Sequence, residues 1–294
     1  MSSCDDDGTI DHSSVEWKGV ISARYRIEQS LRYEYDAPIR NLRHQLIITP
    51  RARHIDQARV DRRLWSSSSV PLAFTTDRFG NEIASLSLAR VEHEIAFGLE
   101  STIARVSGSG LLGAHGNERP NPRWMDVGRL TRADDAMFEI ATELHARYPA
   151  PRERVQAIAA FVHRHMIYTK NVTDVFTTAS TAFQMGRGVC QDFAHIAIAL
   201  ARATGLGARY ASGHLLGEGA THAWVEFLVP DGERTVVVSL DPTYCTATDF
   251  RYVVIAIGRD YHDVPPTSGV FSGRASGTLF TQQRVCLTGL TYAA

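Results

Sequence analysis

Cysteine is scarce in this 294-residue chain, lysine is nearly absent, and long apolar runs are missing altogether. The four cysteines (Cys4, Cys190, Cys245 and Cys286) show no paired spacing, which argues against a disulfide framework and against a zinc knuckle. Lys18 and Lys170 are the only lysines, and arginine supplies the remaining basic charge, a bias read as that of an arginine-rich bacterial genome. No stretch approaches the roughly 20 uninterrupted apolar residues of a membrane-spanning helix. With 31 basic against 32 acidic side chains the formal charge is −1, so neither a nucleic-acid coat nor a polybasic membrane binder is expected. Hydrophobic residues make up 44% of the chain, enough at this length for one large core or two ordinary ones. Met1 to Gly19 is acidic and polar, which is not the pattern of a secretory signal; residues 1–19 read as a disordered tail of a cytoplasmic protein.

From Val20 to about Val106 the texture is that of β-structure. Ile21, Ala23, Tyr25 and Ile27 alternate with polar residues, and so do Leu31, Tyr33 and Tyr35, then Leu42, His44, Leu46 and Ile48. Val70, Leu72 and Phe74 lead into the turn Asp77-Arg78-Phe79-Gly80-Asn81, and Val91, His93, Ile95 and Phe97 form a further run. Short alternating strands separated by turns predict an all-β, sandwich-like domain over residues 20–107. A stretch rich in Gly, Ser, Pro and Asn follows, and 108–130 reads as a linker. Residues 131–294 then change texture and read as one domain that closes on a C-terminal β segment. Thr131-x-x-Asp134 signals a helix start, Pro149-Ala150-Pro151 opens a second helix, and a third begins at Cys190. Strands are predicted at 221–229, 233–241 and 253–257. Helices first and antiparallel strands afterwards make this half α+β.

The chemistry concentrates in Gly186-Arg187-Gly188-Val189-Cys190-Gln191-Asp192-Phe193-Ala194-His195. Two glycines permit a tight turn, and the periodic apolar residues start directly after it. Cys190 is thereby placed at a helix N-terminus, where unpaired N–H groups and the helix dipole favour an anion, and a thiolate is the reactive form of cysteine. Cys190, Ala194, Ala197 and Ala201 form a small-residue stripe that lets the helix lie close against a sheet. Further on, Asp231-Gly232 separates two alternating runs and signals a hairpin. A turn centred between these two residues sets His222 directly opposite Asp241, side chains on one face. A cysteine at a helix start with a histidine oriented by an aspartate is the apparatus of thiol nucleophilic catalysis. The backbone N–H of Cys190 is one candidate oxyanion donor, and no second donor is legible.

Other residues receive plainer readings. His163 and His165 are two apart on a helix and point away from each other, so they do not share a metal ion. His195 lies on another face of its helix than Cys190 and is assigned a structural hydrogen bond. His44, His93 and Cys245 are read as packing residues. Trp224 either shields the His222–Asp241 pair from water or fills the core.

Gly188 to His195, Thr221-His222-Ala223-Trp224-Val225-Glu226 and Leu240-Asp241-Pro242-Thr243 together resemble the core motifs of bacterial transglutaminase-like proteins. Tyr33 to Pro38 and Asp77 to Asn81 resemble the N-terminal β domain of that family, and Gly258 to Pro265 its C-terminal region. The resemblance implies a papain-like α+β core, with Cys190 as nucleophile, His222 as base and Asp241 as orienting acid. Its members are described as proposed cysteine proteases or as transglutaminases. Tyr244 stands where an Asn is common, and Val236 to Ser239 lack the usual Trp-Val pair; both departures bear on substrate preference.

The expected protein is a cysteine enzyme acting on amide bonds of a peptide, protein or other amide substrate through an acyl-thioester. Neither a cofactor nor a metal is called for. Hydrolysis is favoured, because no acidic or apolar lysine tunnel can be read. Acyl transfer to an amine is the alternative. A binding or scaffold protein with a relic core is a third reading, and a relic would have lost one of the three residues.

Overall fold

A computed structural model of the protein describes residues 8–107, 114–118 and 121–293; Cys4 and part of the 108–130 segment lie outside the described residues. Seven strands come first: β1 (Val20–Tyr35), β2 (Ile39–Leu46), β3 (Arg53–His54), β4 (Gln57–Ser66), β5 (Ala73–Thr76), β6 (Glu82–Val91) and β7 (Glu94–Val106). Alternation puts Tyr25, Ile27 and Leu31 of β1 inside. At the start of β1, a register irregularity between Val20 and Ser22 buries Val20 and leaves Ile21 exposed. The run Val91 to Phe97, read as one strand, is broken by a turn after β6, and His93 is exposed there rather than packed.

The segment read as a linker is partly structured. Residues 114–118 form β8 (Ala114–Glu118), and Pro122–Met125 makes a 3-10 turn that buries Trp124. The helical half contains α1 (Asp135–Arg147), α2 (Pro151–His165), β9 (Ile167–Tyr168), α3 (Ala179–Met185), β10 (Arg187–Gly188) and α4 (Cys190–Ala203). Asp134 caps α1 by accepting the Met137 N–H, and Pro151 opens α2 at a position where its missing N–H costs nothing. The short α3 had no reading in the sequence. Then follow β11 (Gly207–Leu215), β12 (His222–Asp231), β13 (Arg234–Asp241), β14 (Thr246–Ala247), β15 (Tyr252–Gly258), β16 (Thr267–Ser272) and β17 (Gly277–Tyr292).

Three main layers result. Two sheets, β17-β1-β7-β4-β3 and β16-β2-β6-β5, make the sandwich, and the order β14-β13-β12-β11-β15, with β8 on β13, makes the core sheet. The fold is α+β, a core of helices and one sheet preceded by an all-β sandwich, as the sequence predicts. The sandwich takes its last two strands from the far end of the chain: β16 pairs with β2, and β17 pairs with β1 along its length. The division at 131–294 is corrected accordingly, because an edge strand as long as β1 needs a partner and β17 supplies one. The tail reading is also corrected from Gly8 onward. Ile10 bridges Leu287, and Asp11 caps a 3-10 turn at His12–Ser14.

Helix α4 is buried on nearly all sides, packed on β11 and β12 and ringed by α1, α2 and α3. Val225, Phe227 and Leu240 join this core, while the alternate residues Trp224 and Glu226 turn to the sandwich side. There the sandwich seals the open edge at β15. The Gln57 amide exchanges two hydrogen bonds with the Val254 backbone (2.7 and 2.9 Å), and the Asn81 amide does the same with Ile257 (2.8 and 3.0 Å). Among the described residues no helix is long and apolar enough to cross a membrane.

Candidate active site

The N-terminus of α4 is built by two glycines with different duties. Gly186 ends α3 in the left-handed region (φ 62°), which a Cβ would strain. Gly188 has an ordinary backbone, but a Cβ there would stand 2.3 Å from Asp192 Oδ2. That carboxylate needs the room, because it reaches back to accept the Val189 N–H (2.7 Å) and the Thr173 hydroxyl (2.7 Å). Asp192 thus closes the first turn of α4 in the manner of a capping box and fixes where Cys190 points. Burial pushes the Asp192 carboxyl above its ordinary pKa range.

Cys190 is half-buried and lies close enough to the His222 side chain to favour its charged form. His222 Nε2 lies 2.6 Å from Asp241 Oδ2. The structure therefore brings all three sequence-predicted residues together. The register that led to this pair is corrected, however. Asp231 pairs with Arg234, leaving Gly232 (φ 62°) and Glu233 as the two-residue loop, so each pairing is displaced by two residues from the one expected. A shift of two keeps every side chain on its face, and His222 meets Asp241 as a diagonal neighbour.

Asp241 is fully buried and fully engaged: Oδ2 also accepts the Tyr252 hydroxyl (2.9 Å), and Oδ1 accepts the Thr243 N–H (2.8 Å). Trp224 stacks beside His222 at 6.2 Å between centroids and meets Tyr252 edge-on at 5.3 Å. Space for these rings comes from Gly213 on the intervening strand, where a Cβ would lie 2.8 Å from Trp224. On the open side Tyr244 stacks over His222 at 5.7 Å and donates its hydroxyl to Glu218, whose other oxygen stands 3.3 Å from His222 Nδ1. Burial works against a charged imidazole here, but hydrogen bonds with Asp241, Cys190 and Glu218 outweigh it and push His222 up to about 12. An imidazolium beside a sulfur is what this arrangement favours.

Tyr252 and Glu218 left no mark in the sequence, since their roles come from strand β15 and from the loop between β11 and β12. A stacked ring at Tyr244 was legible only as a departure at a pocket position. His195 accepts the Tyr261 N–H at Nε2 (3.1 Å), the structural hydrogen bond assigned to it. Cys245, read as packing, is exposed, with a left-handed backbone (φ 54°).

A helix-start cysteine, a strand histidine and a buried aspartate on this core define the transglutaminase-like class. Residues 139–242 match the transglutaminase-like superfamily, and residues 25–104 match the bacterial transglutaminase-like N-terminal region. The chain is thus a transglutaminase-like core joined to the N-terminal region of the bacterial members. Among solved structures it is similar to a proposed cysteine protease from Cytophaga hutchinsonii, with a TM-score of 0.72 and 19% identity over 92% of this chain and 93% of that one. At that identity the likeness is one of fold. The uncharacterized protein ML0607 of Mycobacterium leprae is 27% identical over 288 residues, 87% of this chain and 96% of its own length. The uncharacterized protein Rv2569c of Mycobacterium tuberculosis is 38% identical over 130 residues, and the match covers 41% of that protein's length.

Proposed function

We propose that the protein is a cysteine hydrolase of amide bonds, with Cys190 as nucleophile, His222 as general base and acid, and Asp241 as the group that orients and charges His222. The observation that carries this reading is His222 held at Nε2 by Asp241 at 2.6 Å, with Cys190 close enough to favour its charged form. Because Asp241 occupies Nε2, the mobile proton is exchanged at Nδ1. The thiol proton passes there, the thiolate attacks the amide carbonyl, and the C–N bond breaks as the imidazolium protonates the leaving amine. Water then gives a proton to the imidazole while its oxygen attacks the thioester carbonyl; the C–S bond breaks, the acid leaves, and the imidazolium returns the proton to the sulfur. The N–H of Cys190, at the first position of α4, is the oxyanion donor the fold offers. Water is the favoured acceptor because Cys190 keeps partial exposure and Tyr244, the ring stacked over His222, is itself exposed.

The test is to acid-quench the protein with a peptide library, with and without a labelled primary amine, and weigh both the Cys190 peptide and the products. An acyl mass on Cys190, with free acid as the main product, is expected, and Cys190→Ala should abolish both. Amine adducts dominating over acid would make the enzyme a transferase. Cleavage that persists in Cys190→Ala would overturn the reading.

A further inference from the structure

His222 has a second carboxylate against it. Asp241 holds Nε2 from within, and Glu218 stands at Nδ1, on the side where the proposed proton exchange takes place. Glu218 is not a passing surface residue: its other oxygen accepts the Tyr244 hydroxyl, and the Tyr244 ring stacks over the imidazole it thereby helps to cover. Two loops, one before β12 and one after β13, are clasped across the histidine by this contact. The turn that carries Glu218 is tied at both sides, since Leu216 N–H bonds to the Arg251 carbonyl (2.9 Å) and Glu218 N–H to the Leu215 carbonyl (3.0 Å).

We propose that Glu218, clasped by Tyr244, is a positioning residue that holds His222 in its charged form from the Nδ1 side and so sets the upper pH limit of the Cys190–His222 ion pair. The inference rests on the reading of Cys190 and His222 given above. Every group facing the imidazole enters the balance. Asp241 from β13, Cys190 from α4 and Glu218 from the β11–β12 loop favour the cation through their hydrogen bonds. Tyr252 from β15 is held protonated by burial and by Asp241, Tyr244 is held protonated by its bond to Glu218, and Tyr168 from β9 is held protonated mainly by burial. None of these phenols adds a charge at neutral pH. Lys170 lies near enough to support the Glu218 carboxylate, which its bond with His222 keeps ionised below the usual range. Glu218 is therefore the carboxylate that can be removed from the open side of the ring while Asp241 stays in place.

Glu218→Gln keeps the shape and removes the charge. An opposite charge at this distance shifts a pKa by roughly 1–3 units, and partial exposure of Glu218 argues for the low end. The experiment follows alkylation of Cys190 by iodoacetamide and by iodoacetate from pH 4 to pH 12.5, in brief exposures, in wild type, Glu218→Gln, Glu218→Asp and Tyr244→Phe. In Glu218→Gln the alkaline limb should move down by about one unit, tenfold in proton concentration. The iodoacetate-to-iodoacetamide rate ratio should rise about threefold, because an anion no longer repels the charged reagent. Glu218→Asp should restore the ratio, and Tyr244→Phe should shift the limb in the same direction by less. A merely structural Glu218 would slow alkylation by one factor at every pH and leave the ratio unchanged, and that result overturns the proposal. A wild type in which Cys190 shows no preferential alkylation overturns the assigned nucleophile, and this inference with it. Should Glu218→Gln not fold, Glu218→Asp and Tyr244→Phe decide by the same two readouts.

Discussion

Asp241 makes three hydrogen bonds from a fully buried position, and only one of them is with the histidine it charges. Asp241→Asn keeps the shape but offers the imidazole an amide in place of a carboxylate, so turnover should fall on the order of 10³-fold with little change in KM. Tyr252→Phe leaves the charge and removes one bond, and should cost about 1 kcal/mol in urea unfolding with a several-fold drop in kcat. The histidines outside the site tell a different story. Burial holds His44 near pH 4, His214 near 4 and His195 near 3, the last with Arg202 adding to the effect, so all three are neutral in the folded protein. Their folded values lie below the unfolded value of about 6.5, so the stability each contributes is complete above that pH and is lost as pH falls toward the folded value. These three should make the unfolding free energy in urea decline steadily below about pH 6.5, by up to about 3 kcal/mol per histidine at pH 4. Cys190, His222 and Asp241 were legible in the sequence because residue type and spacing alone place them on a helix start and on one sheet face. Glu218 and Tyr252 were not, since nothing local marks a loop glutamate or a strand tyrosine as the neighbour of a ring on another strand.

At the level of elements, the start of α4 depends on Gly188, and the sequence announced it. Gly188→Ala would drive a methyl group into Asp192 and break the bond to the Val189 N–H. The expected result is a loss of about 1–2 kcal/mol, the scale of a lost cap, together with slower alkylation at Cys190. The hairpin shows why a right pair can come from a wrong register. Strand side chains alternate with period two, so a displacement of two residues preserves the face while changing every partner. Buried β11 carries Gly207, Ser212 and Gly213 among its apolar residues, which hides its alternation, and α3 is too short for a helical period to emerge.

For the whole molecule, the sandwich is the back wall of the site rather than an appendage. Phe79 and Trp124 share a cluster with Trp224 and Tyr252, the rings that enclose His222 and Asp241. Across the same boundary His54 bonds Glu226 (2.7 Å), which in turn holds Arg209, all of them buried. Glu226→Gln removes the charge between two basic groups and should cost about 3–5 kcal/mol in urea unfolding. The start of the sandwich is legible in the alternation of β1, and the return of the chain to it is not, because the pairing of β1 with β17 joins residues more than 250 positions apart in places. Ending the chain before Gly277 should leave the β1 edge open and yield aggregated protein, measured by light scattering of the purified product.

The most direct measurement is a race between thiols. Among the described residues Cys245 is exposed, Cys190 half-buried and Cys286 buried, so accessibility alone ranks Cys245 first of these three. Limited iodoacetamide at pH 6.5, read peptide by peptide with mass spectrometry, should label Cys190 at least about tenfold faster than Cys245, because only an activated sulfur is anionic at that pH. Labelling of Cys245 ahead of Cys190 would contradict the account.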